Sequence, residues 1–145
     1  MRKALCGLIV VLWTLSAWAE ESGPPMDVSK ADRQAIRTVI ESQLAAFQRD
    51  DEAAAFAHAS PSIQGKFRTP EIFMDMVKKD YQPVFRPLGV RFLELTRFRG
   101  QPTQRVLVIG PDGVPMMALY PMERQGDGSW KIDGCILIPV EARAL

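Results

Sequence analysis

The 145-residue chain has two cysteines, one histidine and two tyrosines. Cys6 lies inside an N-terminal apolar run that reads as removable, so Cys135 is the only thiol left and no internal disulfide can form. In an oxidising compartment such a thiol is either buried or bridges two chains. The buried role is expected, because free cysteine is among the most buried residue types. One histidine and one distant cysteine, without carboxylates at ligand spacing, argue against a metal centre, and no cofactor is implied. Gly110, Gly113, Gly126 and Gly128 punctuate hairpins, so there is no phosphate-cradling loop. The serine-nucleophile pattern G-x-S-x-G is absent. Charge of one sign is also lacking: 18 basic residues face 17 acidic ones, which removes the electrostatic case for nucleic acid. The longest apolar run, Ala4 to Trp18, holds 15 residues. That is short of the ~20 a spanning helix needs, so stable membrane insertion is not expected.

That run has another reading. Arg2 and Lys3 precede it, Ala17-Trp18-Ala19 closes it as an A-x-A cleavage site, and Glu20-Glu21 follow. The pattern predicts a signal peptide over residues 1–19, cleavage near Ala19, and a periplasmic or secreted bacterial protein. The mature chain then has 126 residues and, with 16 basic against 17 acidic residues, a net charge of −1. Residues 20–28, with two prolines, a glycine and no periodicity, read as a flexible leader. Residues 29–145 are long enough for one domain with a sizeable core.

The domain opens on its organising helix, Ser29 to Asp50. Ile36, Val39, Ile40, Leu44 and Phe47 share one face, and Arg33, Arg37, Glu41, Gln48 and Arg49 lie opposite. Ser29 is the expected N-cap, with Asp32 completing a capping box. Asp50-Asp51 stop this helix and cap a shorter one over Glu52–Ala59. Ser60-Pro61 and Thr69-Pro70 each supply a cap and a first helical residue, for a turn ending about Gly65 and a helix ending about Tyr81. Pro83 and Pro87 argue against further helix. Val90–Arg99, Gln104–Ile109, Val114–Met122 and Ser129–Ile138 read as strands. Gln104–Ile109 looks buried on both faces, Pro121 suggests an edge or bulge, and Gly134 a bend separating the Trp130–Ile132 face from the Ile136–Ile138 face. Trp130 is the expected core anchor. Helices followed by an antiparallel meander make an α+β domain, with one long helix and two or three shorter ones on the sheet.

The succession LAAFQRDD, AFAHASP, IQGKF, TPEIFMDMV, YQPVFRP and DGSWKIDGCIL closely resembles a family of exported bacterial proteins, the domain of unknown function family numbered 4864. That family is similar to the superfamily typified by nuclear transport factor two and the SnoaL-like cyclases. The resemblance covers about Ile36 to Leu137. It implies a curved antiparallel sheet wrapped on a long helix, a cystatin-like cone with a pocket at its open end. It implies no activity, since the superfamily holds isomerases, dehydratases and cyclases beside non-catalytic domains. None of their catalytic motifs maps onto this chain position by position.

Candidate site residues follow from chemistry and from that implied geometry. His58 could act as a base near neutral pH; the structural alternative is a helix-end residue. Asp50, Asp51 and Glu52 offer carboxylates, but adjacent residues at a helix boundary point apart. Tyr81, Arg86 and Tyr120 would stand near the pocket mouth in the superfamily geometry, giving an aromatic wall, a donor and a fork for an anion. Otherwise the tyrosines fill core and Arg86 is solvated. Met76, Met116, Met117 and Met122 could line an apolar pocket or fill core. Arg86, Arg91, Arg97, Arg99 and Arg105 read as a solvated face or a surface for anionic polymer. The leading expectation is a non-enzymatic envelope protein that binds a small apolar or anionic ligand, or forms a homodimer through its sheet face. The alternative is an isomerase, dehydratase or hydrolase using Tyr81, His58 or an acid inside the cone. A polar pair in contact inside the cavity would favour catalysis; an apolar lining would favour binding.

Overall fold

The first helix, α1 (Lys30–Gln48), is fixed at both ends by side chains. Asp32 N donates to Ser29 Oγ at 3.1 Å, and Ser29 N reaches back to Asp32 Oδ2 at 3.3 Å, so the expected capping box is complete. At the far end Asp51 N donates to the Ala46 carbonyl and Asp50 N to that of Phe47. This is the paired bonding of a Schellman ending, with Asp50 at φ 54° where glycine is usual. Between the caps, Ile36, Ile40, Leu44 and Phe47 are buried in the core. Each is worth roughly 1.5–3 kcal/mol of apolar burial.

The architecture comes from a computed structural model that describes residues 27–140. The predicted signal peptide, and all of the leader but Asp27 and Val28, lie outside the described residues. Val28 is buried against the core. After α1 come α2 (Glu52–Ala57), α3 (Pro61–Phe67), α4 (Pro70–Asp80) and α5 (Gln82–Phe85). Asp51, Ser60 and Thr69 accept from backbone N–H groups at the starts of α2, α3 and α4. Several boundaries differ from expectation: the second helix stops at Ala57 instead of Ala59, and the second strand starts at Gln101 instead of Gln104. The third helix runs on to Phe67, and Pro83 sits inside α5, in a first turn where its missing N–H is no loss.

The sheet is antiparallel: β1 (Gly89–Phe98), β2 (Gln101–Ile109), β3 (Pro115–Arg124), β4 (Trp130–Ile132) and β5 (Ile136–Pro139). The domain is α+β, as the element order predicts. β1, β2 and β3 pair in sequence, and β3 then has two partners along its other edge. Residues 116–119 pair with β5 and residues 122–124 with β4. Pro121 stands between those blocks, where its missing N–H costs no ladder bond on that edge. Gly134 lies beside the Pro121 ring, which a Cβ at that position would touch, and the last strand breaks there. Trp130 and Ile132 therefore face the core while Ile136 and Ile138 are 37% and 42% exposed. β2 is buried along one face at Gln104, Val106 and Val108, while on the other face Thr103 is buried but Leu107 and Ile109 are only half-buried; the expected two-sided burial of Gln104–Ile109 is corrected. That other face is uncovered around Arg105, Leu107, Ile109 and Met117, which are half-buried, and around Ile136 and Ile138, which are exposed.

The helical and sheet layers meet through β4. Ile132 pairs with Ala59, Ser60 N donates to the Ile132 carbonyl at 2.8 Å, and Ile132 N donates to the His58 carbonyl at 2.9 Å. Trp130 packs in the core and its indole N–H donates to Asp32 at 3.0 Å. Phe47, Phe56, Phe67, Phe73 and Phe85 form a connected aromatic cluster in the helical layer.

Candidate functional site

The aromatic cluster does not fill the space below it. A cavity of about 400 Å³ remains between the helices and the end of the sheet where β3 changes partner. Phe47, Phe67, Phe73, Val77, Phe98 and Ile132 form apolar walls. The size and lining are those of a small-molecule site.

Tyr120 lies on the core face of β3, in the cavity wall and 1% exposed. Its hydroxyl has no hydrogen-bond partner. The nearby Cys135 thiol is the one group among the described residues in hydrogen-bonding reach of it, and because sulfur is a weak partner the phenol is left without a nitrogen or oxygen to bond. Burial pushes the phenol well above its ordinary value, and Cys135 adds to the effect. Burial also pushes the Cys135 thiol up to about 12, against an opposing contact from Tyr120. Tyr81, at the α4–α5 junction, is raised by burial and then by Cys135 and Asp80. The three groups hold their protons at neutral pH. A thiol this hard to ionise is no nucleophile.

Two further polar side chains line the cavity. Gln43 is buried on α1 and donates to the Ala55 carbonyl at 3.1 Å. Asp133 accepts from Ser60 Oγ at 2.7 Å and from Gln101 Nε2 at 2.9 Å, joining the start of α3, β2 and the end of β4. The Ser60 hydroxyl also caps α3 by accepting from Ile63 N at 3.3 Å. Lys66 and Arg99 are exposed members of the same lining and form its rim.

Of the residues singled out from sequence, Tyr81 and Tyr120 line the cavity; Arg86 and His58 do not. Arg86 donates from Nη2 to both Asp50 carboxylate oxygens at 3.0 Å and from Nη1 to the Phe47 carbonyl. The last carbonyls of α1 are an attractive place for a cation, which draws Arg86 to the helix end instead of the mouth. His58 ends α2. Burial and then Lys131 hold its imidazole below the ordinary value, but it stands apart from the cavity. Met76 lines the cavity, and Met122 belongs to the core. The arginine run divides: Arg105 pairs with Glu94, Arg97 donates to the Gly100 carbonyl, and Arg99 reaches the rim.

Lys66, Asp133, Gln43 and the cavity position of Cys135 were not visible as site features in the sequence. The Arg99-Gly100 pair carried a signal that could have been used. It is a two-residue hairpin turn with both φ positive, 50° and 79°, closing β1 onto β2. Among the described residues no group of three or more His, Cys, Asp or Glu could hold a metal, and no helix is long and apolar enough to cross a membrane.

Residues 29–145 match the family described as Domain of unknown function (DUF4864). Neither a curated protein nor a solved structure matches the chain. The expected likeness to the nuclear transport factor two superfamily is thus not confirmed by any solved structure.

Proposed function

The chain belongs to the DUF4864 family, and we propose that this member is an exported, non-enzymatic binding protein whose cavity holds a small, mainly apolar ligand. The observation that carries the reading is the Tyr120 hydroxyl, buried in the cavity wall without a partner. A buried unsatisfied hydroxyl costs about 1–3 kcal/mol, and a ligand oxygen accepting from it would recover that cost. The Cys135 side chain beside it is the group that would turn aside. Export is supported by the charged start, apolar run and A-x-A site of residues 1–19.

Acid–base catalysis has one observation in its favour, the Asp133 carboxylate in the same lining as the Tyr120 phenol. Both Asp133 oxygens already accept hydrogen bonds within the fold, which favours bracing over proton transfer. A second copy on the uncovered sheet face is a companion reading. It is supported by Ile136 and Ile138, exposed beside Leu119 and Met117 on neighbouring β3.

Nile red, an apolar dye with a carbonyl acceptor, tests the cavity. It should bind saturably at one site, and Ile63→Trp, which puts bulk into the lining, should weaken it about tenfold, the effect of ~1.4 kcal/mol. Tyr120→Phe should weaken it less. Absence of saturable binding, or binding indifferent to Ile63→Trp, would contradict the reading.

A further inference from the structure

The rim of the cavity is built asymmetrically in charge. Its lining holds three ionisable residues of fixed sign, Lys66, Arg99 and Asp133. Two cations against one carboxylate leave a net charge of +1. The carboxylate is turned inward, engaged by Ser60 and Gln101. Neither cation has an acidic partner within ion-pair distance among the described residues.

Aromatic rings hold both cations at the mouth. The Lys66 ammonium lies 5.4 Å from the centre of the Phe67 ring, and the Arg99 guanidinium 5.0 Å from that of Phe98. Both rings are cavity walls. Such contacts orient a cation at small cost and leave its hydrogen-bond donors free. The two residues come from different elements, Lys66 from the last turn of α3 and Arg99 from the β1–β2 turn. Arg99 occupies the first position of that turn at φ 50°, a backbone conformation that favours glycine. Below the rim the walls are apolar, and the polar groups beyond them, Tyr120, Tyr81 and Cys135, are neutral donors.

We propose that the ligand is an apolar monocarboxylate with a second oxygen along its chain, its head between Lys66 and Arg99, its hydrocarbon body against Phe67, Phe98 and Phe73, and that second oxygen accepting from Tyr120. The inference rests on the cavity reading and adds the ligand's charge and polarity. An ammonium ligand would meet two like charges at the mouth. A neutral apolar ligand would leave both cations unused. A dianion would exceed the net charge of the lining and carry more hydration than an apolar cavity can replace.

Calorimetric titration with octanoate, dodecanoate and their methyl esters separates the two levels. The probes are compared on the wild type and on Lys66→Gln/Arg99→Asn. Both positions are exposed, and asparagine tolerates the left-handed turn, so the fold is kept. The wild type should bind the acid about tenfold tighter than its ester, a preference that two partly exposed ion pairs allow. The double variant should erase that preference and leave the ester's affinity unchanged, and high salt should act on the acid alone. Equal binding of acid and ester, untouched by the variant, would overturn the carboxylate assignment and leave the cavity reading standing. Absence of binding by all the probes, together with loss of Nile red binding, would overturn both.

Discussion

At the residue scale, Asp32 makes the contacts that most affect behaviour with pH. It accepts from the Trp130 indole at 3.0 Å and from the Ser29 hydroxyl at 2.7 Å, and it pairs with Arg124. Those bonds, Trp130's first and Ser29's next, hold its carboxyl down to about 2, below the ordinary 3.8. A carboxyl depressed in the folded state adds stability that is fully present above its unfolded value and is lost as pH falls through its folded value. Stability should therefore decline between about pH 4 and pH 2. Asp32→Asn should flatten that limb of a thermal-melting series against pH. An unchanged acid limb would show that another carboxylate is responsible. Cys135 behaves in the opposite sense. With its thiol near 12, it should label with a disulfide reagent at mildly alkaline pH far more slowly in the native protein than after denaturation. Equal rates would return Cys135 to the surface and revive the interchain bridge.

At the element scale, the end of α1 shows how one misassigned residue changes a site. Arg86 looks like a pocket-mouth cation when only its neighbours in sequence are considered. In the fold it closes the helix that the sheet packs on, donating to Asp50 and to the Phe47 carbonyl. Arg86→Ala should destabilise the domain by about 1–2 kcal/mol, as loss of a cation and donor at a helix C-terminus does. Arg86→Lys should recover only part, because one ammonium cannot serve Asp50 and the Phe47 carbonyl as two guanidinium nitrogens do. Denaturant titration checks both. No loss in Arg86→Ala would mean the backbone bonds of the Schellman ending suffice alone.

Legibility followed the range of the interaction. The α1 capping box, the Ser60-Pro61 and Thr69-Pro70 starts and the break at Gly134 were readable because their causes lie within a few residues. The Arg99-Gly100 turn was harder, since arginine is uncommon where φ must be positive. Asp133 was not readable at all. Its partners are 73 and 32 residues away in sequence. The two lining tyrosines were named because aromatic donors are few in this chain, and Lys66 was not, because one lysine among many carries no local mark.

At the scale of the whole molecule, the helical layer and the sheet are stitched along β4, and the cavity opens beside that seam. Ser60, Asp133 and Gln101 link α3, β4 and β2 around it. The cavity is thus walled by elements that the fold already holds in place, which suits a preformed binding site better than one assembled by ligand. Export and ligand binding belong together in this account, since a protein outside the cytoplasm with a mainly apolar cavity meets whatever small apolar molecules its compartment holds.

Native mass spectrometry of the wild-type protein recovered from periplasm, with and without reducing agent, tests that account most directly. The prediction is a chain beginning at Glu20 that carries one small molecule per cavity, with the bound mass lost in Ile63→Trp. A dimer surviving reduction would be compatible, through the uncovered sheet face. A mature chain that is empty in the wild type, at the gentlest conditions and with no mass difference from Ile63→Trp, would contradict it.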